Sequence, residues 1–192
     1  TTADQKAPAT DDEKEPAQSS KMPMRVLGKT KIKVPILSFG GMFDITNNQI
    51  TLQKSVEWGL TCWDTAHNYF SGNSGIGMGM YLKKHPKFRK KLFLVSKASG
   101  TNNPTKMEKL LNESLKRLQT DYVDLYFLHY LRNPKLLTDD IRKWAEQKKK
   151  QGKIKFFGFS THDNMPNCLM AASKLKWIDV VMTKYNFRHL SD

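Results

Sequence analysis

Leu92-Phe93-Leu94-Val95-Ser96-Lys97, followed by a helix opening at Asn103-Pro104, followed by Tyr122-Val123-Asp124-Leu125-Tyr126-Phe127-Leu128-His129, is the stretch that decides the fold. Two short apolar runs flank a helical segment. Asn103 suits an N-cap and Pro104 the first helical position. Met107, Leu110, Leu111, Leu115 and Leu118 then share one helical face. A strand, a helix and a second strand of these lengths make a βαβ unit and a parallel sheet. In a parallel α/β barrel the C-terminal strand ends meet on one rim. Lys97 and His129 stand at two such ends, and Asp64 and Tyr69 bracket a third, Asp64-Thr65-Ala66-His67-Asn68-Tyr69. An acid, a phenol, an amine and an imidazole on one rim form a proton-handling group.

The alternation extends in both directions. Met24 to Val34 reads as a β-hairpin around Gly28-Lys29-Thr30-Lys31. A first strand is expected over Ile36 to Phe39, ending at Gly40-Gly41, and a helix from Asn48 to Trp58 closed by Gly59. Thr61 to Asp64 is the second strand. Ile76 to Lys84 is the second helix, and Leu92 to Ser96 the third strand. Tyr122 to Leu128 is the fourth. A helix follows from Thr138, with Asp139 and Asp140 at its start and Lys148 to Lys150 at its end, as the macrodipole favours. Lys155 to Phe159, a helix from Met165 to Leu175, and Val180 to Tyr185 complete the pattern.

Several segments together resemble the aldo-keto reductase family. They are Met24 to Thr30, Asp64 to Tyr69, Leu111-Asn112-Glu113-Ser114-Leu115-Lys116-Arg117-Leu118, Asp121 to Tyr126, Gly158-Phe159-Ser160 and Tyr185-Asn186. They occur in family order from about residue 24 onward. The resemblance implies an α/β fold, a (β/α)8 TIM barrel present here through its sixth strand, with the hairpin plugging the barrel bottom. A closed barrel of this type has eight strands. Six leave two open edges, which a longer polypeptide, a second chain or an unusual partial barrel would each explain. Residues 23–192 are the expected barrel. Residues 1–22, rich in Ala, Pro, Asp, Glu, Lys, Ser and Gln, read as a disordered tail or linker.

The implied activity is NAD(P)H-dependent reduction of an aldehyde or ketone, or the reverse oxidation of an alcohol. A phenol with a pKa near 10 holds its proton too tightly for easy transfer at neutral pH. A neighbouring ammonium favours the phenolate. Tyr69 is thus the expected acid, Lys97 tunes it, Asp64 holds Lys97, and His129 donates to the carbonyl oxygen. For the cofactor, expected to be NADP(H), the resemblance carries over Gly41, Met42, Ser160 and Thr161. Gly41 stands where Thr is common, Thr161 where Asn is common, and Met182 where a Gln is usual; Phe70 replaces a Gly after the tyrosine. In the family the aromatic under the nicotinamide and the basic residues on the 2′-phosphate come from strands seven and eight.

Phe156-Phe157-Gly158-Phe159-Ser160-Thr161-His162 resembles a bacterial branch whose members often carry a twin-arginine signal or a C-terminal iron–sulfur segment. Export to the periplasm is therefore expected over a cytoplasmic location, and an iron–sulfur cluster only if the chain continues beyond residue 192. The alternative function is a non-catalytic subunit that docks on a protein partner through an incomplete barrel edge.

The chain carries 32 Lys and Arg against 18 Asp and Glu, a net charge of +14. Lys83, Lys84, Lys87, Arg89, Lys90, Lys91, Arg142, Lys143 and Lys148 to Lys150 are expected to face water from outer helices. No nucleic-acid motif accompanies them, so no nucleic-acid partner is expected; the resemblance implies a small-molecule carbonyl compound as partner. No run reaches the roughly 18 apolar residues of a membrane span. Cys62 and Cys168 offer no metal-ligand spacing. Gly75-Ile76-Gly77-Met78-Gly79 lacks the last glycine of a dinucleotide fingerprint and reads as close helix packing. His67 reads as a loop residue, and His162 as either loop polarity or a rim contact.

Overall fold

A computed structural model describes residues 22–186, so the tail expected over residues 1–22 lies outside the described residues apart from Met22. The expected hairpin is present. β1 (Met24–Val26) pairs antiparallel with β2 (Lys33–Pro35), with Met24 opposite Pro35 and Val26 opposite Lys33.

The main sheet has six parallel strands: β3 (Phe39–Gly40), β4 (Cys62–Asp64), β5 (Phe93–Ala98), β6 (Val123–Leu128), β7 (Ile154–Thr161) and β8 (Val180–Thr183). Each lies beside its neighbour in sequence. The connections carry α1 (Gln49–Glu57), α2 (Asn73–Lys84), α3 (Pro104–Leu118), α4 (Asp139–Lys150) and α5 (Met165–Ser173). Among the described residues β3 and β8 each pair on one side only, so the sheet curls without closing. No described helix is long and apolar enough to cross a membrane.

Alternation along the strands divides the core in two. Trp63, Leu94, Tyr126 and Phe157 face the helices and pack with Met107, Leu111 and Leu118 of α3. Burying each such side chain contributes about 1.5–3 kcal/mol. Cys62, Phe93, Val95, Leu125 and Phe127 face the opposite way, and Leu27 and Val34 of the hairpin region pack against them. The hairpin thus covers the barrel interior. The expected Asn103 cap is present, and the helix expected from Thr138 begins one residue later with Thr138 as its cap. Asn103 Oδ1 accepts from Lys106 N at 3.1 Å, and Thr138 caps α4 through Ile141 N.

Gly77 and Gly79 let α2 approach its neighbours. A Cβ on Gly77 would lie 2.5 Å from the Ile45 carbonyl carbon, and one on Gly79 only 2.0 Å from Arg117 O. At Gly75 the nearest atom would be 3.7 Å away, so two of the three glycines are needed for packing.

The structure corrects the sequence reading in three places. The first strand is Phe39–Gly40 rather than Ile36 to Phe39, and Ile36 and Leu37 are 52% and 58% exposed. The Ile36 N–H donates to Pro23 O at 2.9 Å, which keeps this segment with the hairpin. Arg89 and Lys148 are not on the solvated face. Arg89 donates to Leu92 O, Tyr122 O and Thr120 Oγ1, lies 3.0 Å from Asp124, and covers the Tyr122 ring. Lys148 lies 2.6 Å from Glu108. Arg89 thus reaches the buried Asp124, and Lys148 the half-buried Glu108. The third and fifth strands also run further than expected, so Lys97, Ser160 and Thr161 lie inside strands.

Candidate active site

Strand alternation brings the proton-handling residues together. Asp64 follows Cys62 on the inner face, Lys97 follows Phe93 and Val95, and His129 follows Leu125 and Phe127. All three therefore stand above the inner apolar cluster, at the C-terminal ends of β4, β5 and β6.

The Lys97 ammonium is 1% exposed and has three partners for its three protons. It donates to Asp64 Oδ2 at 2.6 Å, Thr65 O at 2.9 Å and Tyr69 Oη at 3.2 Å. Because the phenol oxygen accepts from the ammonium, its own proton is free to be given elsewhere. Asp64 Oδ1 is buried with no partner among the described residues. Burial pushes the Asp64 carboxyl above its ordinary range, against the pull of the Lys97 charge.

His129 meets the Tyr69 ring edge to face, with centroids 5.8 Å apart. Its Nδ1 lies 2.7 Å from Ser99 Oγ. Burial, with the Lys97 and His162 charges, pushes its pKa down to about 4, so the imidazole is neutral near pH 7.

Tyr69 opens a 3-10 turn to Gly72 that contains three successive positive φ angles: Phe70 at 46°, Ser71 at 54° and Gly72 at 98°. Non-glycine residues held there cost about 1–3 kcal/mol each. The turn reverses the chain between β4 and α2 and holds the phenol over Lys97. A side chain at position 72 would also strike the Arg117 guanidinium, at 2.6 Å.

The residues assigned to the cofactor by resemblance are placed as follows. Gly41 is buried, its N–H donates to Asp64 O at 2.8 Å, and a Cβ there would lie 2.7 Å from that oxygen and from Met78 Cε. A threonine side chain would clash with that backbone oxygen in this arrangement. Met42 is 71% exposed on the following loop. Ser160 Oγ accepts from Tyr130 N at 2.9 Å, which leaves its proton available. Thr161 is fully buried and donates to Asp163 O at 2.8 Å. Among the described residues no group of three or more His, Cys, Asp or Glu side chains is placed to hold a metal.

Beside these residues the rim opens into a cavity of about 630 Å³ lined by Asn68, Ser99, Thr101, His129, Tyr130 and His162. His162 lines this cavity with its ring tilted against Tyr130, centroids 5.1 Å apart, so it is a rim residue. His67 turns away and bonds Glu113 Oε2 at 2.8 Å. Sequence reading missed Asn68 and Ser99. The available signal was Ser99's position two residues after Lys97, which continues the inner-face alternation.

Comparison with known proteins agrees with this architecture. The sequence model described as "Aldo/keto reductase family" matches residues 37–192. A Schizosaccharomyces pombe protein named "Putative voltage-gated potassium channel subunit beta" is 27% identical over 186 residues, covering 88% of this chain and 52% of its own length. The holo form of an aldo-keto reductase from Bacillus halodurans superposes with a TM-score of 0.76 at 28% identity, covering 86% of this chain and 58% of that one. An aldo-keto reductase from Klebsiella pneumoniae in complex with NADPH gives 0.65 at 26%, covering 81% and 54%. The chain spans about half the length of the curated relatives it matches. With the family model matching residues 37–192, most of the chain, this protein belongs to the aldo/keto reductase family.

Proposed function

We propose that this chain carries the acid–base part of a site that reduces an aldehyde or ketone to an alcohol with NADP(H), or runs the reverse reaction. The observation that carries the reading is the Lys97 ammonium held between Asp64 and the Tyr69 hydroxyl. When bound, NADPH would supply the hydride for the carbonyl carbon. Tyr69 Oη gives its proton to the carbonyl oxygen as negative charge develops there. The Lys97 ammonium stabilises the phenolate left behind, and solvent restores the proton. Asp64 fixes the ammonium, and the neutral His129 ring orients the carbonyl by hydrogen bonding.

The residues present fit one edge of a nicotinamide. Ser160 retains a hydroxyl proton for the carboxamide, while the Gly41 and Met42 backbone borders the same rim. Thr161, fully buried with its proton given to Asp163 O, offers the cofactor no donor. The test is carbonyl-dependent NADPH oxidation in Tyr69→Phe. A loss of about 10²–10⁴-fold is expected, in line with general acid catalysis; unchanged turnover refutes the assignment.

A second reading is favoured by the unpaired outer edges of β3 and β8 among the described residues. There the chain is a non-catalytic subunit docked through a sheet edge. A stable heteromeric complex in size-exclusion chromatography, with no NADPH-dependent turnover, would select it. Export rests on the resemblance of residues 156–162; recovery of the native protein from spheroplasts alone, with none in the periplasmic fraction, would overturn it.

A further inference from the structure

Asn68, Ser99 and His129 form a hydrogen-bonded chain along the rim cavity. Ser99 Oγ donates to Asn68 Oδ1 at 2.7 Å and lies 2.7 Å from His129 Nδ1. A serine hydroxyl has one proton and two lone pairs. With its proton given to Asn68, Ser99 has only lone pairs to offer His129. The proton between them must then sit on Nδ1.

A neutral imidazole carries a single N–H. A proton on Nδ1 makes Nε2 a bare acceptor, unable to donate to a carbonyl oxygen. Turning the Asn68 carboxamide by half a revolution exchanges Oδ1 for Nδ2. Asn68 then donates to Ser99, Ser99 donates to Nδ1, and the ring proton, exchanged through solvent, resides on Nε2. Asn68 is exposed at the cavity mouth, where a bound substrate would meet its carboxamide.

We propose that Ser99 and Asn68 are positioning residues that set the tautomer of His129, holding its proton on Nδ1 in the resting site and on Nε2 when the Asn68 carboxamide is turned over. The tautomer follows from the hydrogen bonds alone; its effect on turnover rests on the function proposed above. The relay makes His129 a conditional donor, so carbonyl polarisation depends on a residue two positions beyond Lys97 and another next to Tyr69.

The test is ring ¹⁵N NMR of the full ¹⁵N-labelled chain at pH 8. His129 is assigned among the five histidines by the signal lost in His129→Gln. The wild type is expected to show a protonated Nδ1 and a bare Nε2. Ser99→Ala should shift the balance toward Nε2–H, and Ser99→Thr, which keeps the hydroxyl, should restore the wild-type pattern. Asn68→Asp can only accept, so it should lock Nδ1–H and lower carbonyl-reducing kcat by about tenfold or more. A bare Nδ1 in the wild type, or the same tautomer balance in Ser99→Ala as in the wild type, overturns the proposal. The expected NMR pattern with undiminished turnover in Asn68→Asp supports the relay and refutes a donor role for His129.

Discussion

Lys97 and Asp64 meet at 2.6 Å across two adjacent parallel strands, with the ammonium almost wholly buried and the carboxylate side chain 15% exposed. The register of β4 and β5 places Asp64 beside Val95, so Lys97 reaches back from two residues further along its strand. One ion pair therefore ties strand pairing to the position of the Tyr69 hydroxyl.

Removing the ammonium should be costly for folding as well as for chemistry. Lys97→Met leaves Asp64 buried without its partner, a change expected to destabilise the chain by about 3–5 kcal/mol. Lys97→Met combined with Asp64→Asn should recover part of that loss, because no unpaired charge remains. Urea denaturation of the three proteins measures both effects.

Two of the three glycines of α2 should respond differently to alanine. Gly79→Ala drives a Cβ to 2.0 Å from backbone Arg117 O, where no side-chain rotation relieves it. It should destabilise by at least the roughly 1–3 kcal/mol of ordinary overpacking. Gly75→Ala meets nothing closer than 3.7 Å and should be neutral or stabilising by about 0.5–1 kcal/mol. Thermal denaturation of the two variants separates them.

His129 predicts a pH dependence of stability. Its pKa of about 4 in the folded chain lies below the ordinary value near 6.5. The unfolded chain binds this proton more tightly, so the contribution is complete above about pH 6.5 and is lost as pH falls toward 4. Asp64, displaced upward, works in the opposite sense but is shared by wild type and His129→Gln, so it cancels in the comparison. The urea midpoint of the wild type should fall relative to that of His129→Gln as pH drops from 7.5 to 4.

The cysteines should be inert in the folded chain. Cys62 and Cys168 are both buried and unbridged, and burial pushes the Cys62 thiol up to about 11. A thiol reagent at pH 8 should label neither until denaturant is added, and then label both. Fast labelling of the native protein would contradict the inner-face placement of Cys62.

Much of the architecture was legible because local rules and global packing agree. The Asn103-Pro104 start of α3, its five-residue apolar face and the wholly buried β5 and β6 need only spacing and composition to be recognised. Ile36 and Leu37 misled for the same reason: their apolar character suits a strand, but the Ile36 bond to Pro23 O holds them beside the hairpin. Arg89 and Lys148 misled because charge says nothing of an acid on a distant segment, the buried Asp124 for one and the half-buried Glu108 for the other.

The sequence by itself determined where the parallel strands end, and hence that Asp64, Lys97 and His129 stand at one rim. Strand and helix lengths are local properties of the chain and need no partner. Only the tertiary structure decided how those groups connect. The three protons of Lys97, the Ser99 hydroxyl between Asn68 and His129, and the left-handed turn after Tyr69 depend on distances across strands and loops. Such distances follow from how the sheet curls and how closely α2 can approach, which no single segment encodes.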